Sequence, residues 1–361
     1  MTTRPATPLP MDAATIRATT DALIHDFLDE REQEATELPE LSVFTDLLRA
    51  LLDSGGKRIR PTLCVIGWQA VSDNPPPTAV LRVAASLELF HAFAMIHDDI
   101  MDGSDTRHGR PTAHRVLTDR HADHPDAAAI GAGTAILLGD LVLCWTSDLL
   151  LLNGVGDLTP EQRSVAWPLL NALRTEAIVG QYLDLTATGR PSADTRSAWR
   201  IIRHKAVRYT VEHPLRLGAA LAGASAEQLR ALSAYAFPLG EAYQLRDDML
   251  GVFGDPERTG KSITDDLRTA KHTVLVATAL QHATPAEART LTSLLGDSAL
   301  DGTGARTIRE ILTSTGAVAA VERALRERYE QALCALTTPC LASVAVAELR
   351  RLAESVITRN T

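Results

Sequence analysis

Residues 87–102 read Leu-Glu-Leu-Phe-His-Ala-Phe-Ala-Met-Ile-His-Asp-Asp-Ile-Met-Asp, an apolar run at helical spacing that ends in aspartates. That junction decides the reading of the fold. On a helix, positions i and i+4 share a face, so Asp98 and Asp102 project together with Asp99 beside them. Carboxylates are costly on an apolar helix unless a cation offsets their desolvation. A second cluster, Asp247-Asp248-Met249-Leu250-Gly251, follows another apolar run at 235–245. Two such faces turned toward one another would form a cage of hard oxygen ligands. Mg²⁺ suits such a cage, because it takes one or two carboxylates plus water and substrate phosphates. A lone Asp-Asp pair more often marks a solvated acidic face. The apolar runs ahead of both pairs favour metal.

The cations stand apart from these acids. Ser54-Gly55-Gly56-Lys57-Arg58-Ile59-Arg60-Pro61 joins two expected helices. Its glycines let the backbone approach a ligand and leave N–H groups open near a helix start. Lys57 and Arg60 would offer one anion a point charge and a bidentate fork. Without the aspartates, the same turn would read as a helix C-cap followed by solvated basic residues. More cations lie at Arg107 and Arg110, at Arg203, Lys205 and Arg208, and at Lys261 and Lys271. Separate acidic and basic sets suit two substrates that each carry a polyphosphate group. One would be held through metal ions, the other directly by Lys and Arg. Residues 254–262 approach a Walker A loop, but five residues separate Gly254 from Gly260 where that motif has four, and no strand precedes it. Lys261 therefore reads as a single charge beside the second acidic helix.

Bulk properties narrow the class. The chain has 361 residues, 45% of them hydrophobic, enough for one large helical domain or two small ones. A net charge of -9 weighs against nucleic acid as the main partner. Cys64, Cys144, Cys334 and Cys340 show no CxxC spacing, and are expected to be core thiols in a reducing compartment. No run is expected to reach the roughly 18 apolar residues of a membrane span. Residues 1–10 lack the apolar segment of a signal peptide and are expected to form a disordered leader, with the protein cytoplasmic. Helical periodicity predicts helices near 11–32, 41–53, 58–72, 79–102, 129–153, 160–188, 194–222, 226–252, 263–282, 304–335 and 341–358. The breakers between them include Pro75 to Pro77, Gly254 and the stretch from Gly296 to Gly304. Residues 118–127, with His121, Asp123, His124 and Asp126, read as an exposed loop rather than a metal site. The expectation is a single all-α domain over 11–361, its helices surrounding a central catalytic cavity.

At this point the chain resembles the trans-isoprenyl diphosphate synthases, the polyprenyl synthetase family. GGKRIRP, the HDDIMDGSDTRHGRPT block with its DDxxD core, GQYLDL at 180–185, Lys205 and QLRDDMLGVFGD carry the likeness, from about Gly55 to Lys271. The resemblance implies the isoprenoid synthase fold, usually as a homodimer. It implies three Mg²⁺ ions held by Asp98, Asp99, Asp102, Asp247 and Asp248, with Asp184 completing the metal shell. Arg107, Lys205 and Lys261 would stabilise the departing diphosphate of an allylic substrate. Lys57, Arg60 and His91 would hold isopentenyl diphosphate, with His108 nearby and Gln181 and Gln244 as further substrate contacts. His91, set among Leu87, Leu89, Phe90 and Phe93, also reads as a hydrogen-bonded core residue, and His97 as an orienter of Asp98.

The chain departs from the family pattern at four positions. His108 stands where a second arginine is usual, Ala206 follows Lys205 in place of threonine, and Ala270 replaces a glycine before Lys271. Gly251 replaces the last aspartate of the second motif; Asp255 could compensate only if the helix end bends back. Product length is gauged by resemblance at Phe93 and Ala94, five and four residues before Asp98, with Phe90 or Phe93 as the floor. Ala94 lies about 40° from Asp98 around the helix. This combination implies a C20 product, geranylgeranyl diphosphate, with C15 farnesyl diphosphate as the alternative. A class I terpene synthase, or a non-catalytic partner subunit, would use the same scaffold. The intact Gly55–Arg60 turn argues against the cyclase.

Overall fold

The computed structural model describes residues 11–107, 109–151, 158–255 and 263–358. Among these the protein is all-α apart from one short hairpin. Two compact units are present: residues 1–169, 214–229 and 339–347 in the first, and 170–213, 230–338 and 348–361 in the second.

The first unit opens with α1 (Ala13–Glu34), capped by Asp12, whose carboxylate accepts from the Thr15 N–H at 2.8 Å. α2 (Leu41–Asp53) and α3 (Ile59–Gln69) flank the basic turn. α4 (Thr78–Met101) starts after the proline run and is the core helix. Val80, Val83, Leu87, Leu89, Phe90, Phe93 and Ile96 are all buried, so it is apolar nearly all round and packs against α1, α3 and α6 (Ala127–Leu151). Its last turn carries the first acidic cluster, with Asp102 at the C-cap. The helix dipole is negative at that end, so the carboxylates there oppose it. Sequence alone missed the antiparallel hairpin that follows, β1 (Thr106–Arg107) with β2 (Arg110–Pro111). Thr112 closes it, its hydroxyl donating to the Ser104 carbonyl at 2.8 Å. α5 (Ala113–Arg120) takes part of the stretch expected to be a loop.

α7 (Pro160–Ala187) leads into the second unit, where α8 (Thr195–Ile201) passes into a π-helix (Ile202–Glu212); α9 (His213–Leu221), which follows directly, belongs to the first unit from Pro214 on. α10 (Ala226–Phe253) bears the second acidic pair. The expected helix at 263–282 is two, α11 (Asp265–Arg268) and α12 (Val274–His282), parted by Ala270 at φ +50. α13 (Pro285–Leu294) was not foreseen; its Thr284 and Glu287 form a capping box. The expected helix 304–335 is also two, α14 (Gly302–Ser314) and α15 (Ala317–Ala335), broken where Gly316 takes φ +76. α16 (Ser343–Thr358) is the last described helix.

Two further expectations need correction. Only Cys64 is a core thiol; Cys144 and Cys334 are exposed and Cys340 is half-buried. Two helices do reach the length and apolarity of a membrane span, Thr78–Met101 and Ala127–Leu150. They differ in setting: 72% of the apolar window is buried in the first and 28% in the second.

Candidate active site

In the first unit, the acidic end of α4 meets the hairpin. Asp99 is buried, and Arg107 donates to its Oδ1 from Nε at 2.7 Å and Nη2 at 2.6 Å. The same Nη2 lies 3.7 Å from Oδ2 of Asp98. Burial raises the Asp99 pKa, against the lowering hydrogen bond and charge of Arg107. Burial also works against the Arg107 charge, but its bond to Asp99 and the charges of Asp99, Asp98 and Asp102 win and raise its pKa. Thus Asp99 anchors Arg107, while Asp98 and Asp102 stay at least partly open to solvent. The hairpin that sets this pairing has strands too short for any alternating pattern.

His97 does not turn to Asp98 as expected. Its Nε2 lies 3.2 Å from the Ile136 carbonyl on α6, and its ring meets Phe93 edge-on at 4.9 Å. Gly139 makes the room, since a Cβ there would fall 2.2 Å from the imidazole. Phe90 and Phe93 form a buried pair 5.3 Å apart, while Ala94 and His91 are partly open on the same helix as Asp98. On the basic turn Lys57 is exposed and Arg60 buried; Arg58 between them is buried among acids, a position the sequence did not single out.

The second unit gathers the other group. Asp184 on α7 is buried and accepts from Lys205 Nζ at 2.5 Å through Oδ2, while its buried Oδ1 has no hydrogen-bond partner among the described residues. Lys205 sits on the π-helix, whose backbone presses so close to α7 that a Cβ on Gly180 would lie 2.3 Å from the Lys205 nitrogen. Gln181 is on the same turn region of α7 and half-buried. On α10, Gln244 donates to Asp248 Oδ1 at 2.8 Å, so this glutamine is engaged with an acid rather than simply open to substrate. Asp248 is buried, and its pKa is pushed up to about 7, by burial first and then by Asp266 and Asp247, with Lys271 and Gln244 opposing. Lys271 is raised well above its usual range, chiefly by Asp266, with burial opposing and Asp248, Asp184 and Asp247 adding. Asp247 stays half-buried beside them.

Asp266 is the residue that sequence reading missed. A Cβ on Gly251 would lie 2.2 Å from Asp266 Oδ2. The carboxylate beside the truncated end of the second motif therefore comes from α11, and not from Asp255, which is exposed. The only hint in the sequence was the absent acid at Gly251. His108 and Lys261 lie outside the described residues. Among the described residues, no group of three or more Asp, Glu, His or Cys side chains is gathered closely enough to hold an ion unaided.

Known proteins share both sequence and fold with this chain. A family model described as polyprenyl synthetase matches residues 42–312. The chain is 31% identical over 271 residues to a short chain isoprenyl diphosphate synthase of Methanothermobacter thermautotrophicus, covering 74% of this chain and 76% of the relative. It is 33% identical over 226 residues to a farnesyl diphosphate synthase of Geobacillus stearothermophilus, covering 62% and 70%. A crystal structure of the Corynebacterium glutamicum geranylgeranyl pyrophosphate synthase, complexed with isoprenyl diphosphate and magnesium, superposes with a TM-score of 0.91 at 35% identity. It covers 97% of this chain and 100% of that one.

Proposed function

The chain belongs to the polyprenyl synthetase family and is a short-chain trans-prenyltransferase, and we propose that it joins isopentenyl diphosphate to an allylic diphosphate, giving mainly geranylgeranyl diphosphate and pyrophosphate. The observation that carries this reading is the pairing of desolvated acids with few, defined cations: Asp99 with Arg107, Asp184 with Lys205, and Asp248 with Lys271 nearby. Buried acids at the negative end of a helix oppose folding unless a further cation serves them.

The residues fit Mg²⁺. Asp184 Oδ1 is buried without a hydrogen-bond partner among the described residues, and the donors are all carboxylate oxygens, the ligand type this ion prefers. Asp98, Asp99 and Asp102, with Asp184, Asp247 and Asp248, would hold it, and we propose three ions. Bound there, Mg²⁺ supplies charge stabilisation to the diphosphate leaving group.

The chain's own groups account for the rest. Lys57, Arg60 and His91 bind isopentenyl diphosphate and orient its double bond. Arg107 and Lys205 add positive charge where the allylic C–O bond breaks and its electron pair departs with the diphosphate. The isopentenyl double bond then attacks the allylic cation, forming the new C–C bond. A proton is lost to the departed diphosphate, so no protein base is needed. Ala94 leaves space beside Asp98, and the Phe90–Phe93 pair supplies a floor below it, which supports a C20 product. Similarity to the Corynebacterium enzyme supports the same length; the Geobacillus relative keeps farnesyl diphosphate as the alternative.

Incubation with isopentenyl diphosphate and each allylic primer, with Mg²⁺ or with chelator, tests this. A C20 product that needs Mg²⁺ is expected. A spectrum stopping at C15 would replace the length assignment. Hydrocarbon release from geranylgeranyl diphosphate alone would replace condensation with cyclase chemistry. We also propose a homodimer, supported by the apolar surface that α6 leaves open, including Ile136 and Leu137.

A further inference from the structure

The turn between α2 and α3 carries a buried guanidinium. Arg58 is 4% exposed although its neighbour Lys57 lies in solvent, and its backbone has φ +46, rare for any residue but glycine. Gly55 and Gly56 before it have φ +119 and +121, so three of four consecutive residues are in conformations that favour glycine. Arg58 holds this turn in place. Its Nη2 donates to the Leu52 carbonyl at 2.7 Å and its Nη1 to the Gly55 carbonyl at 3.1 Å, satisfying acceptors at the C-terminal end of α2. Its Nε donates to Asp21 on α1 at 2.6 Å, and Nη1 lies 3.3 Å from Glu88 on α4. A Cβ on Gly56 would fall 2.7 Å from that same Nη1, so the glycine is what admits it.

One side chain thus ties the turn to three helices. Glu88 is buried, which raises its pKa, and Arg58 and then Arg60 oppose the rise. It also precedes His91 by one helical turn on α4. The residues on either side of Arg58, Lys57 and Arg60, can meet one anion only if the backbone between them holds its unusual shape. We propose that Arg58, seated on Asp21 and Glu88, is the positioning residue for the diphosphate grip of Lys57, Arg60 and His91, and so sets affinity for isopentenyl diphosphate without touching it. This rests on reading that trio as the isopentenyl diphosphate site. Lysine cannot replace it, because one ammonium on a flexible stem cannot bridge two carbonyls and two carboxylates.

Steady-state kinetics of Arg58→Lys and Asp21→Asn, varying each substrate in turn, test the proposal. Arg58→Lys should raise KM for isopentenyl diphosphate about tenfold or more, with kcat and the allylic KM within about twofold. Asp21→Asn should move the same KM by less. An unchanged isopentenyl diphosphate KM in folded Arg58→Lys protein, or equal losses in every parameter, overturns the proposal. Where Arg58→Lys does not fold, the same KM in Asp21→Asn decides. If the wild-type enzyme itself makes no product, the substrate assignment fails, and binding of inorganic pyrophosphate in chelator then reads the turn alone. Weaker binding by the variant supports positioning; equal binding overturns it.

Discussion

Asp248 does not behave as a carboxylate in water. Its folded pKa of about 7 stands above the ordinary value of 3.8, because burial penalises the charge. A raised acid contributes its stability below the unfolded pKa and loses it as pH rises through the folded one. The metal-free protein should therefore lose stability from Asp248 as pH rises from about 4 to about 7. Asp248→Asn in chelator should raise Tm more at pH 8 than at pH 5, while turnover with Mg²⁺ falls. Equal Tm shifts at both pH values would remove burial of the charge as the cause. Asp98 poses a simpler case. It is half-buried at the negative end of α4, with Arg107 Nη2 3.7 Å from its Oδ2, so Asp98→Ala should cut turnover roughly 10²-fold or more with the helical circular dichroism intact. Near-normal turnover would exclude it as a metal ligand.

Among the elements, α11 does the most that could not be foreseen. It brings Asp266 against Gly251, at the place where the second acidic motif lacks its last carboxylate. Gly251→Asp should therefore clash, lowering Tm and activity. Combined with Asp266→Gly, which removes the opposing carboxylate, it should recover part of both. Loss that merely adds in the double variant would show that the two positions do not share one space. The same comparison shows where sequence ran out. α4 and α10 were legible because apolar spacing and terminal acids are local signals. A π-helix has the composition of an α-helix, so residues 202–212 gave no warning of their register. Ala270 at φ +50 lacks the glycine that marks Gly316, so the break before α12 could be read only from the family's glycine at that place. At the site, the acids could be read in place, but their partners could not. The hairpin delivers Arg107 to Asp99, a choice made by folding rather than by spacing, whereas Gln244 reaches Asp248 at the i,i+4 distance of its own helix.

At the scale of the whole molecule, two long apolar helices differ sharply in burial. α4 has its apolar stretch 72% buried, as a core helix requires, whereas α6 has 28% of its stretch buried. Single exposed apolar side chains are ordinary on a protein surface. A helix of this composition with Leu137 62% exposed and Ile136 beside it is not, and burying one such side chain fully contributes about 1.5–3 kcal/mol. A second copy of the chain offers an identical face, and a two-fold interface lets each copy cover the other. Leu137→Glu would set two carboxylates into that interface, desolvated and of like charge. Sedimentation should then report one chain mass for the variant and two for the wild type, with helical circular dichroism unchanged. α6 also receives the imidazole of His97, one turn before the end of the first acidic helix, so separation should loosen that contact and lower turnover. A wild type that sediments as a single chain would leave the α6 surface without the occupant argued for it.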